Sequence, residues 1–163
     1  MNSNSEYYII AVSGGFDPPH PGHIRMFKNA KKIAELEAEK RAFNGGKLVV
    51  ILNGDSWIIR KKGTPFFTAL QRKEIIEECK SVDEVIIYDS LDYHVCGALE
   101  KLRPHGFANG GDRTEENTPE KILCEELGIE MYFGVGEGGK IESSSWLVAK
   151  YIKNGGKINE KIL

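Results

Sequence analysis

Tyr7–His23 reads YYIIAVSGGFDPPHPGH, and three backbone regimes follow one another in it. Tyr7–Ser13 is short and apolar on both sides of its alternation, as a strand buried on both faces of a parallel sheet tends to be. Gly14 and Gly15 then allow a tight exit and a close approach of backbone to a ligand. Pro18-Pro19 stiffens the loop. His20-Pro21-Gly22-His23 leads into a helix over about Gly22–Lys40, with Ile24, Phe27, Ala30, Ile33 and Ala34 on one face. Strand, glycine-rich loop and helix form the first unit of an α/β domain.

The unit repeats. Further strands are expected at Leu48–Asn53, Glu84–Tyr88, His105–Asn109 and Glu130–Phe133, the second and third of the series again apolar on both faces. Thr68 and Gln71 fit a capping box for a second helix whose apolar face is Leu70, Ile75, Ile76 and Cys79. A third helix covers Tyr93–Leu102 and stops before Pro104. A fourth takes Thr118 as N-cap, Pro119 as its first residue and Gly128 just past its end. A fifth begins near Ser143 and ends at Asn154-Gly155-Gly156. Alternation of this kind predicts a Rossmann-like, five-stranded parallel sheet with helices on both faces, in one domain spanning residues 1–163.

Composition narrows the function classes. Apolar residues make up 40% and charged residues 28% of the chain, an ordinary globular balance. Net charge is −2, so a dedicated nucleic-acid binder is not expected, and an anionic ligand would need local positive charge and backbone N–H groups. The apolar run Tyr7–Val12 is too short for a signal peptide or a membrane span. Cys79, Cys96 and Cys124 are widely spaced and odd in number, which points to reduced thiols in a cytoplasmic protein.

Ligands of parallel α/β sheets bind beyond the carboxyl ends of the strands. Four unusual stretches fall there: Gly14–His23, Gly54–Gly63 (GDSWIIRKKG, read as a loop), Gly110-Gly111-Asp112 and Gly134–Ser145 (GVGEGGKIESSS). His20 and His23 are three apart, so both imidazoles can share a face near a positive helix N-terminus and donate to a phosphate. The competing reading, that they only cap the helix or bind zinc, is weakened for zinc by the lack of further ligands at suitable spacing. Ser143, Ser144 and Ser145 can present hydroxyls and N–H groups to phosphates, or one of them can simply cap the helix. Asp112 is read as a ribose or metal contact, against an Asx-turn, and is the one metal-ligand candidate. Asp17 is expected to orient the first loop. His94, His105, Trp57 and Trp146 are expected to be structural.

GGFDPPHPGH resembles the HxGH signature of the cytidylyltransferase-like nucleotidyltransferase superfamily, and Lys140–Trp146 (KIESSSW) resembles its second, serine-rich signature. Glu142 departs from the pattern, which usually has an apolar residue there; it is expected to face solvent. LNGDSWIIRKKG and RPHGFANGGD are similar to segments of the nucleotidyltransferase domain of ADP-heptose synthases, whereas glycerol-3-phosphate cytidylyltransferases tend to carry G-D-D at the second. Ala108-Asn109 stands where a valine and a lysine are common.

The resemblance implies transfer of a nucleoside monophosphate from a Mg²⁺-bound NTP to a phosphorylated acceptor, with heptose 1-phosphate and ATP preferred. The alternative is a cytidylyltransferase acting on glycerol 3-phosphate. It implies catalysis by His20, His23 and Lys62. Nucleotide contacts are implied for Gly14, Gly15, Phe16, Asp17, Gly111, Asp112 and Ser143–Ser145, and acceptor contacts for Asn53, Asp55, Lys61 and Arg72. No nucleic-acid or membrane partner is expected, and a homodimer is left open. Two other classes compete. A nucleotide-binding regulator need not keep both histidines, and a two-metal hydrolase needs a carboxylate and histidine cluster that the sequence lacks.

Overall fold

The computed structural model describes residues 6–111, 113–116, 118–136 and 143–156. Strands β1 (Tyr7–Gly14), β2 (Gly45–Asn53), β3 (Glu84–Tyr88), β4 (Gly106–Ala108) and β5 (Glu130–Tyr132) form one parallel sheet in the order β3-β2-β1-β4-β5. The helices are α1 (Pro21–Lys40), α2 (Asp55–Lys62), α3 (Ala69–Glu77), α4 (Cys96–Leu102), α5 (Lys121–Leu127) and α6 (Ser144–Lys153).

Strand alternation builds two cores. Tyr8, Ile10 and Val12 of β1 join Leu48, Val50 and Leu52 of β2 beneath Phe27, Ala30, Ala34 and Ala38 of α1 and Ile76 of α3. Ala11, Ile51 and Phe107 point the other way, against Ala98 and Leu99 of α4 and Cys124 of α5. Helices therefore cover both faces, as the Rossmann-like reading requires. The chain runs from β1 outward to β2 and β3, then returns to set β4 on the other side of β1. The order reverses between β1 and β4, and a crevice opens beyond their carboxyl ends.

Close approach of α1 to β2 depends on Gly46. A Cβ there would lie 2.2–2.4 Å from the backbone of Ala34 and Glu35, atoms that cannot move without lifting α1. Gly46→Ala is expected to destabilise the domain by about 1–3 kcal/mol through overpacking, read as a lower urea midpoint. An unchanged midpoint would show that α1 can shift freely.

Several local expectations change. GDSWIIRKKG is not a loop: Gly54 and Gly63 bracket helix α2, and Gly63 ends it at φ 91. On α3 the Thr68/Gln71 capping box forms, but the buried face is Ala69, Arg72 and Ile76, leaving Leu70 and Ile75 exposed. Ile24 of α1 is also exposed, because the helix buries its alanine stripe instead. Strand β3 carries apolar residues on both faces, as expected, but at the edge of the sheet it is not fully covered, and Ile87 is exposed.

Helix α4 starts at Cys96 rather than Tyr93. It ends as expected, with Arg103 at φ 50 just before Pro104. Helix α5 starts at Lys121, not Pro119: the Thr118 hydroxyl is turned back to the Thr114 carbonyl (2.6 Å), and Glu120 takes the cap position. Gly128 closes the helix at φ 68, and Ser143 caps α6. Among the described residues no helix is long and apolar enough to cross a membrane.

Candidate active site

The loop after β1 is held from several sides. Phe16 adopts φ 47, an uncommon conformation for a bulky residue, and its ring packs edge-on against His23 and Phe27. Gly14 and Gly15 are needed for space rather than for a left-handed turn. A Cβ on Gly14 would meet the Phe16 ring at 2.8 Å, and one on Gly15 would meet Ile58 at 2.6 Å. Asp17 is buried, and its carboxylate accepts the backbone N–H groups of Phe66 (2.7 Å) and Phe67 (2.8 Å). It thus ties the first loop to the segment between α2 and α3, the orienting part expected of it.

The histidines make an unusual capping box. His20 is the N-cap of α1; its Nδ1 accepts the Gly22 N–H (3.1 Å), and His23 Nδ1 reaches back to accept the His20 N–H (3.2 Å). The rings stack with centroids 3.6 Å apart. An imidazole whose Nδ1 accepts carries its proton on Nε2 when neutral, so the backbone sets both side chains as Nε2–H donors. Burial is the main cause that lowers the His23 pKa, to about 3, with the nearby His20 and Lys62 adding to it. His23 is therefore a neutral donor. Capping and function, posed as competing roles in the sequence, are here compatible, because the capping bonds of both rings engage Nδ1 and not Nε2.

Both histidines line a cavity of about 480 Å³ at the β1/β4 crevice. Its walls also include Gly14, Gly15, Phe16, Asp17, Asn53, Lys61, Lys62, Gly111, Ser143, Ser144 and Ser145, so the sequence-derived candidates largely converge. Lys61 and Lys62 reach it from α2, each four residues after the buried Trp57 and Ile58 and so on the same helical face. Lys61 lies over the Trp57 ring. The Ser143 hydroxyl caps α6 by accepting from Trp146 N (3.1 Å), and the Ser144 hydroxyl donates to the Pro18 carbonyl (2.9 Å). That bond locks the α6 N-terminus against the first loop, so the early N–H groups of α6 border the same space as the imidazoles.

Two acceptor candidates are not on the cavity wall. Arg72 is fully buried: Nε donates to Phe67 O (3.1 Å), Nη1 to Gly15 O and Asn53 O (2.7 Å each), and Nη2 to Asp55 Oδ1 (2.9 Å). Asp55 also accepts from Ala69 N (2.8 Å). In this structure Arg72 and Asp55, expected as acceptor contacts, form a brace beneath the loops after β1 and β2. Asp112 and Glu142 lie outside the described residues.

The wall also holds residues that the sequence did not single out for binding. Trp57 and Trp146, expected to be structural, both line the cavity, as do Tyr93, Val95 and Glu120. Aromatic residues carry no local spacing signal that separates core from cavity, and the position of Glu120 depends on a turn that was read as helix. Among the described residues no group of three or more His, Cys, Asp or Glu gathers as a metal cluster, and both Asp17 oxygens are already taken.

The family model described as cytidylyltransferase-like matches residues 11–131. The chain belongs to the cytidylyltransferase-like family of nucleotidyltransferases. This cytidylyltransferase-like chain is 33% identical over 118 residues to an FAD synthase of Ferroglobus placidus, covering 72% of the chain and 66% of that protein. It is 30% identical over 156 residues to the bifunctional protein HldE of Geotalea uraniireducens, covering 94% of the chain but only 26% of that longer protein. Among solved structures, the lipopolysaccharide core biosynthesis protein of Thermoplasma volcanium matches with a TM-score of 0.59 and 25% identity, over 78% of this chain and 94% of the other.

Proposed function

We propose that the protein transfers a nucleoside monophosphate from a Mg²⁺-bound NTP to a sugar phosphate of the heptose 1-phosphate type, releasing pyrophosphate. The observation that carries this reading is the pair of stacked imidazoles whose Nδ1 atoms are both occupied by backbone N–H groups. An oxygen of the acceptor phosphate attacks the α-phosphorus, the bond to the bridging oxygen breaks, and pyrophosphate leaves. The acceptor is already an anionic nucleophile, so no covalent enzyme intermediate is needed.

His20 and His23 stabilise charge on the α-phosphate and the bridging oxygen by hydrogen bonds that need no reorganisation. Lys62 and the start of α6 attract the leaving pyrophosphate. Most of the work is positioning and charge stabilisation. Mg²⁺ would be held mainly by phosphate oxygens and water, a mode that asks few ligands of the protein, and would supply charge neutralisation at the triphosphate.

For the base, ATP is proposed over CTP. Gly110, Gly111 and Gly136 border the cavity, where backbone amides and carbonyls can read an exocyclic amine. The resemblance of RPHGFANGGD to the ADP-heptose group supports the same choice. The FAD synthases among the relatives favour a second acceptor, a flavin phosphate, also with an adenylyl donor.

The test is pyrophosphate release from ATP and CTP with heptose 1-phosphate, glycerol 3-phosphate and flavin mononucleotide. ATP with heptose 1-phosphate is expected to give the highest kcat/KM, by at least about ten-fold over CTP with glycerol 3-phosphate. Preference for CTP with glycerol 3-phosphate would overturn the substrate assignment. Pyrophosphate release that does not depend on an acceptor would overturn transfer itself.

A further inference from the structure

Glu120 is the residue of the cavity wall that the mechanism leaves unused. It is 3% exposed, at the cap position of α5. Its Oε1 accepts the Val95 N–H at 3.1 Å. Its Oε2 is buried and meets no donor, and it is the single such side-chain atom recorded among the described residues. A buried carboxylate oxygen left unsatisfied carries the full desolvation penalty of a charged group, so folded proteins leave few of them. Here the residue borders the functional cavity, and the terminal torsion of a glutamate is soft. The oxygen need only turn to meet a donor entering from that side.

Which part of the substrates comes there follows from the surroundings. The phosphate-binding groups, His20, His23 and the start of α6, lie at the N-terminus of α1. Glu120 lies on the opposite face of the sheet, bonded to Val95, which belongs with Ala98, Leu99 and Phe107 to the core under α4 and α5. A carboxylate repels phosphate, so this end takes a neutral part of a substrate. Glu120 shares the connection after β4 with Gly110 and Gly111, but its carboxylate turns away from them: it bonds to Val95, in the segment that follows β3, the strand at the opposite edge of the sheet from β5. The acceptor body, not the nucleoside, fills this end.

The geometry points to Glu120 as the specificity residue for the acceptor: its Oε2 accepts a hydrogen bond from a hydroxyl on the body of a polyhydroxylated phosphate monoester. This rests on the transferase reading above. The energetics are those of a charge-assisted bond from a neutral hydroxyl, which raises affinity for acceptors that carry the hydroxyl and penalises those that lack it, because the oxygen then stays buried and unpaired.

The experiment uses the full chain with Mg-ATP, and pyrophosphate release as readout. Heptose 1-phosphate and mannose 1-phosphate are compared with mannose 1-phosphates lacking one ring or side-chain hydroxyl each. In the wild type, one deoxy analogue is expected to show a KM raised by about ten-fold or more, the scale of a lost hydrogen bond to a charged group. Glu120→Ala is expected to raise KM for the hydroxylated acceptors by a similar factor, to leave KM for ATP unchanged, and to abolish the difference between the acceptor and that analogue. Glu120→Gln keeps the oxygen that meets Val95 and gives a smaller change in the same direction, so the test survives if the alanine variant folds poorly.

A merely structural role would lower kcat or stability without removing the discrimination between the paired acceptors. Wild-type turnover with acceptor KM unchanged in both variants overturns the Glu120 assignment alone. A rise in KM for ATP instead would place the nucleoside at this end and also overturn it. Absence of wild-type turnover with every acceptor overturns the transferase reading and this assignment with it.

Discussion

His20→Ala and His23→Ala are each expected to lower kcat by roughly 10²–10³, the usual cost of removing one preorganised donor to a developing oxyanion. Both residues also cap α1, since Gly22 N and His20 N bond to them, so alanine would remove about 1 kcal/mol of helix capping as well. Two conservative variants separate the effects. Asparagine is an excellent N-cap, so His20→Asn keeps the bond to the first turn while losing the Nε2–H donor. Glutamine is an ordinary partner at the third helical position, so His23→Gln keeps the box. Both are expected to melt close to wild type and still lose turnover on the alanine scale, with KM for the nucleotide changing less. Near wild-type turnover in either pair would remove the histidine concerned from the mechanism.

The acid limb provides a second readout. His23 stays neutral in the folded protein down to about pH 3, whereas the unfolded chain protonates it near its ordinary value of 6.5. Between those values the unfolded state binds the extra proton, so stability falls as pH drops through this interval. Urea midpoints of the wild type measured from pH 7 to pH 4 should therefore fall more steeply than those of His23→Gln. Parallel profiles would mean that His23 is not held neutral.

Which parts of this site could be read in the sequence follows from the range of the forces involved. The β1–loop–α1 unit declares itself locally: an apolar run, two glycines, two prolines, then helical spacing. The Thr68/Gln71 box is equally local, and it forms. Helix α2 was hidden because glycines stand at both ends and Trp57-Ile58-Ile59 favours a strand as much as a helix. Thr118-Pro119 carries a strong helix-start signal that is overridden when the Thr118 hydroxyl bonds back to Thr114.

Long-range placements are invisible at that level. Glu120 meets Val95 across 25 positions, and Ser144 meets Pro18 across 126. Those bonds decide what faces the cavity. The tryptophans illustrate the same limit: apolar bulk predicts burial, and a cavity wall satisfies that nearly as well as a core does.

Arg72→Met is expected to cost about 3 kcal/mol or more of stability, in a domain whose total is of order 5–15 kcal/mol. The guanidinium has no exposed surface, and it gathers carbonyls from Gly15, Asn53 and Phe67 around one ion pair with Asp55. Methionine fills much of the volume but leaves the buried Asn53 carbonyl, the half-buried Gly15 and Phe67 carbonyls and a carboxylate oxygen without this donor. The Asp55 side chain is 39% exposed, so part of its charge is solvated and the loss sits at the low end of the range for broken buried pairs. Arg72→Lys should recover only part of it, because an ammonium cannot reproduce the planar fork that spans several segments at once.

Gly15 leads into the histidine loop, and Asn53 ends β2 where α2 and its lysines begin. Loss of the brace should therefore also loosen both sides of the cavity, lowering kcat and weakening both substrates together. Urea denaturation with steady-state kinetics on the same preparations checks this. The resemblance alone implied a direct contact between Arg72 and the acceptor phosphate, and that role has a different signature: an unchanged urea midpoint, unchanged KM for the nucleotide, and a raised KM for the acceptor only. That outcome would return Arg72 to the binding surface and would require the loops above it to open when the acceptor arrives.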